Sequence, residues 1–238
     1  MSGESAMLHR YKAGLKTVLF LMVLGCTSTL QAATVNYNDP WEPVNRVTFA
    51  FNDKLDAWVL KPVATGYDTV TPDPVQGLVS NFFKNLGEIR NLANALLQFR
   101  IKDAGVTTGR FVVNSTVGML GMLDVGSEIG LDYRYQDFGL TLAHWHVPAG
   151  PYVVIPFFGP RTVRSTAGLY PDMMVDPVTN VNDSHDRLML QVSDLISLRA
   201  ELLKQEGLIV GDKYTFIRDA YLQRRDFLIT GEVPQDDF

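Results

Sequence analysis

Residues 138–160 contain no Asp, Glu, Lys or Arg, yet they contain Pro148, Pro151, Pro156 and Pro160. An uncharged run of that length would permit a helix to cross a bilayer. The prolines forbid it, since each removes an N–H and wedges its ring against the preceding turn. A second uncharged run, from Phe111 to Leu123, includes Gly118 and Gly121 and ends at Asp124. It is too short to span a bilayer and too apolar for an ordinary surface loop. Either both runs are core, a buried helix and an extended segment, or both touch lipid without crossing it, as in a monotopic membrane protein.

Composition narrows the choice of partner. The 238 residues, 46% hydrophobic and 20% charged, describe one folded domain or two. A net charge of −5 leaves no electrostatic footprint for a phosphate backbone, so nucleic acid is not an expected partner. The single cysteine, Cys26, rules out an internal disulfide, a Cys-based zinc site and a CxxC redox pair.

Arg10, Lys12 and Lys16 precede an apolar run from Thr17 to Leu24, the arrangement of an export signal. Val23-Leu24-Gly25-Cys26 resembles a bacterial lipobox, in which a small residue precedes a Cys that is lipidated after cleavage. Residues 1–25 are then a signal peptide, Cys26 the anchor and the Thr/Ser/Ala/Gln/Asn-rich 26–38 a tether. Leu30-Gln31-Ala32 is a rival cleavage site that would leave no cysteine. Removing residues 1–25 leaves 18 Lys/Arg against 25 Asp/Glu. So acidic a chain is not drawn to anionic lipid by charge, and any membrane association must be hydrophobic or covalent.

Folding begins near Asp39, where Asp39-Pro40-Trp41-Glu42 has the spacing of a capping box. Val44, Val47, Phe51, Leu55 and Trp58 place one apolar stripe on a helix over 43–60, which Lys61-Pro62 is expected to stop. Tyr67 to Pro74 reads as a loop, and Ser80 as the cap of a second helix whose apolar face holds Phe82, Phe83, Leu86, Ile89, Ala93, Leu96 and Leu97. Leu188 to Leu202 forms a stripe ending at Gly207, and Tyr214, Ile217, Tyr221 and Leu228 form another ending before Gly231. Residues 39–232 make up the folded domain and 233–238 a short tail.

Catalytic signatures are missing from this pattern. Gly126-Ser127-Glu128-Ile129-Gly130 has its Ser one place too early for a nucleophile elbow, and there is no H-E-x-x-H, Walker A or dinucleotide fingerprint. His144-Trp145-His146 would put both imidazoles on one face of a strand, with Asp137 or His185 as a third metal ligand, although packing around Trp145 is the ordinary role. Ser165 and His144 are the residues a hidden hydrolase triad would use. Arg218, Arg224 and Arg225 are suited to phosphate headgroups, while Asp219 and Asp226 lie close enough to pair with them instead. Neither metal nor cofactor is expected.

Several ordered segments resemble the MlaA family, also called VacJ, of outer-membrane lipoproteins. They are Asp39-Pro40-Trp41-Glu42 with Asn45-Arg46 and Phe49-x-Phe51-Asn52; Lys61-Pro62-Val63-Ala64; Asn81-Phe82 with Asn85-Leu86; Arg110-Phe111 with Asn114-Ser115-Thr116-x-Gly118; and Phe138-Gly139-x-Thr141-Leu142 onward to Gly150-Pro151-Tyr152 and Tyr170-Pro171. Downstream, Arg199-Ala200-x-Leu202-Leu203 and Arg218-x-Ala220-Tyr221 with Arg224-x-Asp226-Phe227 continue it.

The resemblance implies a mostly α protein, a ring-shaped bundle of amphipathic helices with a Gly-rich apolar hairpin, monotopic in the inner leaflet of the outer membrane beside trimeric porins. It implies removal of phospholipids misplaced in the outer leaflet, through a channel in the ring, and their transfer to the periplasmic lipid carrier MlaC. On that reading residues 111–131 form a helical hairpin bordering the channel. Gly118 and Gly121 allow it to flex, Met119, Leu120, Met122 and Leu123 face acyl chains, and Asp124 marks the return to a polar edge. The helix at 43–60 controls access through Asn45, Phe49, Phe51 and Asn52, with Phe51 and Asn52 at its sensitive point. The competing classes are a structural porin-associated scaffold without a lipid path and a lipid hydrolase.

Overall fold

The computed structural model describes residues 39–232. The signal peptide, the tether, Cys26 and the tail expected at 233–238 lie outside the described residues.

Helices dominate. The first, α1 (Glu42–Leu55), passes through a single π turn, Asp56–Leu60, directly into α2 (Lys61–Val70). Lys61-Pro62 does not stop it. In the π turn the Lys61 N–H already reaches back five residues to the Asp56 carbonyl, so Pro62 falls in the first turn of a fresh α segment, where its missing N–H costs nothing. The loop expected over 67–74 shrinks to Thr71–Pro72, after which α3 (Asp73–Leu97) starts with Pro74 in its first turn. Ser80 therefore lies inside α3, buried, and caps nothing.

Helix α4 (Ile101–Thr116) runs beside α3, and one turn of helix, α5 (Val125–Glu128), follows a tight loop. The uncharged 138–160 run becomes α6 (Phe138–His144) and the first strand of an antiparallel hairpin, β1 (Tyr152–Ile155) with β2 (Gly159–Thr162), in the register Tyr152↔Thr162 to Ile155↔Gly159. Then come α7 (Val163–Val175), α8 (Ser184–Leu203), a 3₁₀ turn at Glu206–Leu208 and α9 (Lys213–Thr230). Gly207 sits in that turn and is not the C-cap of α8, whereas Gly231, at φ 76°, caps α9 in the left-handed conformation.

Contacts between elements close a circuit. The α1–α2 rod packs α2 on α8; α8 packs on α3; α3 meets α6 and α7; α6 touches α9; α9 meets β2; and β1 returns to α1. This is the ring of amphipathic helices. Ion pairs staple its joints: Arg199 forms a two-armed pair with Asp56 of the π turn at 2.6 and 2.9 Å, Arg46 reaches Asp212 at 3.0 Å, and Arg225 of α9 pairs with Asp137 at the start of α6. No helix among the described residues is long and apolar enough to cross a membrane.

Burial is inverted relative to a water-soluble domain. The largest side chains sealed from solvent are Glu88, Asn45, Asn91, Asn94, Thr107 and Thr141, all polar. The apolar stripe of α1 faces outward through Val44, Val47, Phe51 and Trp58, as does that of α8 through Leu188, Val192, Leu195, Leu198 and Leu202. On α3 the buried positions are Gln76, Ser80, Asn85, Glu88, Asn91, Asn94 and Ala95, while Leu96 and Leu97 of the expected apolar face are exposed. Helix α9 turns its stripe inward, with Tyr214 packed against Tyr152 and Val154 and joined by Phe49, Tyr221 and Leu222.

Candidate functional site

Two assemblies hold the residues singled out from sequence. The first binds the access helix to the hairpin. Asn45, 1% exposed, donates to Asp39 Oδ1 at 2.9 Å and to the Tyr152 carbonyl at 3.0 Å, and accepts from the Val154 N–H at 2.9 Å. Two turns on, Asn52 donates to the Ile155 carbonyl at 3.0 Å and accepts from the Phe157 N–H at 2.9 Å. These two amides occupy the β1 edge that β2 leaves open, satisfying backbone groups that burial would otherwise penalise. Phe49 packs edge-on against Tyr214 at 5.5 Å between ring centres, and Phe51 meets Phe157 at the hairpin tip at 5.4 Å.

The second assembly is the loop after α4. Residues 111–116 are the last turns of α4, so the expected helical hairpin is one long helix, a loop over 117–124 and the single turn α5. Met119, Leu120 and Gly121 have φ of 54°, 60° and 90°, a left-handed run that folds the chain back within a few residues. Met119, Leu120, Met122 and Leu123 are exposed. The core reading thus fails at this tip, because the buried face of α4 is spent on Asp103, Thr107, Arg110 and Asn114.

Beneath the tip lies a polar network. Arg110, 3% exposed, bridges Glu88 of α3 at 2.7 Å and Asp124 at 2.9 Å, and also donates to Ser127 Oγ at 2.9 Å and to the Leu131 carbonyl. Asn114 donates to Asp124 at 3.0 Å and accepts from the Gly126 N–H at 2.7 Å. Burial pushes the Glu88 carboxyl up, with Arg110 and Asn91 opposing it. At Asp124, burial is outweighed by hydrogen bonds from Ser127, Arg110 and Asn114, which hold the carboxyl below its usual range.

Both glycines are sites of close approach. A Cβ on Gly118 would collide with the Leu123 and Asn114 carbonyls, and one on Gly121 with the side chain of Asn85. Asn85 donates to Ser115 Oγ at 2.9 Å, and Asn81 to the Met122 carbonyl at 3.2 Å, so α3 grips the loop from below. A third feature, unforeseen from sequence, is a cavity of about 310 Å³ between α3, α8 and the chain after α5. Phe83, Leu86 and Leu198 give it an apolar wall, and Arg90 and Tyr135 a polar one.

The enzymatic and metal candidates do not assemble. Ser165 Oγ is held at the start of α7, accepting from the Thr162 N–H at 2.8 Å and lying 2.8 Å from the Tyr221 hydroxyl, with no hydrogen bond to His144 among the described residues. His144 and His146 sit at the end of α6 and in the following turn, His146 at φ 62°, not on a strand face. Asp137 is committed to Arg225 and to the Leu140 N–H at 2.7 Å. Of the three basic residues on α9, Arg218 pairs with Asp219 at 2.8 Å, Arg225 with Asp137 in place of Asp226, and Arg224 stands 5.9 Å over the Tyr135 ring.

A polar interior inside an apolar exterior, with a gripped apolar loop, is the arrangement to compare with known proteins. The family model described as MlaA lipoprotein matches residues 37–228. The chain belongs to the MlaA lipoprotein family. It is 33% identical over 216 residues to the intermembrane phospholipid transport system lipoprotein MlaA of Shigella flexneri, covering 88% of this chain and 85% of that one. The Haemophilus influenzae protein of the same name is 29% identical over 223 residues, covering 88% and 86%. A solved chain, from work on the structural basis for maintenance of bacterial outer membrane lipid asymmetry, superposes with a TM-score of 0.70 at 34% identity, covering 81% of this chain and all of its own.

Within the MlaA fold, the residues that sequence reading missed are polar ones at helical spacing. Gln76, Ser80, Asn85, Glu88, Asn91 and Asn94 recur every three to five positions on α3, a stripe as periodic as the apolar one. Had that stripe been weighed, the buried face of α3 would have been ambiguous from the start.

Proposed function

We propose that this chain removes phospholipids from the outer leaflet of the outer membrane and hands them to a periplasmic lipid carrier, so maintaining lipid asymmetry. One observation carries the reading. Among the described residues the largest sealed side chains are polar, and many large apolar ones, from Trp41 to Ile229, are left outside, the reverse of what water favours. Such a body is at rest when hydrocarbon surrounds it, and the cavity beside α3, with Arg90 and Tyr135 on one wall and Phe83 and Leu86 on the other, offers a polar surface to a headgroup. A phospholipid moving through needs both surfaces together and no covalent chemistry, which agrees with an unassembled Ser165–His144 pair.

The surroundings follow from the same reading. The exposed faces of α1 and α8 lie in the inner leaflet and against a trimeric porin, the lipid anchor is at Cys26, and MlaC receives the lipid on the periplasmic side. The tip over 118–124 borders the path, Met119 and Leu120 offering soft, adaptable contact to acyl chains. The clamp of Asn45 and Asn52 on the hairpin sets access, since both amides must let go for the hairpin to part from α1.

The test is the amount of phosphatidylethanolamine reachable by an impermeant amine-reactive label on intact cells. Deletion should raise labelling, the wild-type gene should restore it, and Cys26→Ala should restore it only weakly. Unchanged labelling on deletion would leave the porin-associated scaffold as the better reading.

A further inference from the structure

The cavity between α3 and α8 has an uneven charge inventory. Two cations, Arg90 and Lys84, and three carboxylates, Asp176, Asp194 and Glu201, line it. Glu201 is taken up by Ser80 and by Lys84 at 3.3 Å. Asp176 Oδ1 accepts from the Val178 N–H at 2.8 Å, closing the turn after α7. Arg90 and Asp194 remain, and neither forms an ion pair or a side-chain hydrogen bond among the described residues. Arg90 Nε is fully buried without an acceptor, and the guanidinium stands 5.2 Å from the Tyr135 ring centre and beside Gly87, where a Cβ would lie 3.9 Å from its terminal nitrogen. Asp194 is exposed.

A half-buried guanidinium whose Nε is sealed with no acceptor among the described residues favours an anion, and its planar fork suits phosphate oxygens. A purely anionic ligand would meet the excess carboxylates, whereas one carrying phosphate and ammonium a few atoms apart satisfies both ends. The cavity is large enough for a phosphoethanolamine group and too small for two acyl chains, and Phe83, Leu86 and Leu198 give it an apolar wall to meet the glycerol end. We infer that this cavity is a headgroup site for zwitterionic phospholipid, Arg90 taking the phosphate and Asp194, with Asp176 lining the same cavity, taking the ammonium. The inference rests on the lipid-transport reading and adds to it a headgroup preference.

The full-length lipoprotein, extracted in mild detergent, is incubated with vesicles holding equal phosphatidylethanolamine and phosphatidylglycerol, repurified, and its bound lipid quantified by mass spectrometry. Wild type should be enriched several-fold in phosphatidylethanolamine. Asp194→Asn should bring the ratio to within about twofold of the supply at unchanged total lipid. Arg90→Gln should lower both lipids about fivefold or more and Arg90→Lys should recover much of that, with helical circular dichroism unchanged throughout. Enrichment that survives Asp194→Asn, or a wild type that binds both lipids equally, would overturn the headgroup site alone; a wild type that binds no phospholipid would overturn the transport reading with it. Free phosphoethanolamine at millimolar concentration should leave the lipid in place, and displacement by it would assign the cavity to a soluble ligand.

Discussion

Asn45 and Asn52 stand two helical turns apart on α1, and each uses its side-chain amide both to donate to and to accept from the β1 end of the hairpin. A helix is thereby fastened to a strand as a third strand would be, through amide groups that a side chain carries.

This makes the two positions unequal in a predictable way. Asn45 is sealed, so Asn45→Leu leaves the Tyr152 carbonyl and Val154 N–H unsatisfied in a dry site and should cost about 2–4 kcal/mol. Asn52 is half-buried, water can replace it, and Asn52→Leu should cost about 1 kcal/mol or less. Denaturant unfolding of the detergent-solubilised protein gives both values, and equal costs would contradict the clamp.

Arg110 and Glu88 form a sealed pair, and breaking one side should hurt more than removing both. Arg110→Met strands a buried carboxylate and should cost about 3–5 kcal/mol, whereas Arg110→Met with Glu88→Leu should recover part of that loss. The same denaturation series reads it out; additive losses would mean that the two residues do not act as a pair.

Gly121 at the tip and Gly130 after α5 separate strain from crowding. Both have positive φ, but a Cβ on Gly130 meets nothing within 4 Å while one on Gly121 strikes Asn85. Gly130→Ala should cost about 1–2 kcal/mol, the left-handed penalty alone. Gly121→Ala should cost more and also weaken the return of lipid asymmetry in the cell-labelling assay. Similar effects at the two positions would remove the argument for a tightly gripped loop.

Asp172 gives the fold a pH signature. Burial, helped by the Asp137 charge and opposed by hydrogen bonds from Asn94 and the Phe138 N–H, pushes its carboxyl up to about 6. The folded protein then holds a proton that the unfolded chain, with an ordinary carboxylate near 4, releases earlier. The stabilisation from this group is complete below about pH 4 and is lost as pH rises through about 6. Asp172→Asn cannot ionise, so relative to wild type it should gain on the order of 2 kcal/mol in stability between pH 4 and pH 7. A wild-type-minus-variant difference that does not change with pH would refute the assignment.

Periodicity in the chain was enough to set the helices at α1, α8 and α9, the end of α9 at Gly231, and the impossibility of a spanning helix over 138–160, because each depends on residues a few positions apart. Several quoted segments also carried the family. Periodicity names a stripe, however, and not the medium it faces. The Val44–Trp58 and Leu188–Leu202 stripes look the same in sequence whether they meet a core or a hydrocarbon layer. The ring decided that, by bringing Glu88 to Arg110, Asn45 to Tyr152 and Arg225 to Asp137 across 22, 107 and 88 residues and so filling the interior with paired polar groups. The same long-range closure left Arg90 Nε without an acceptor among the described residues, beside a cavity shared by α3 and α8, elements that no local pattern places side by side.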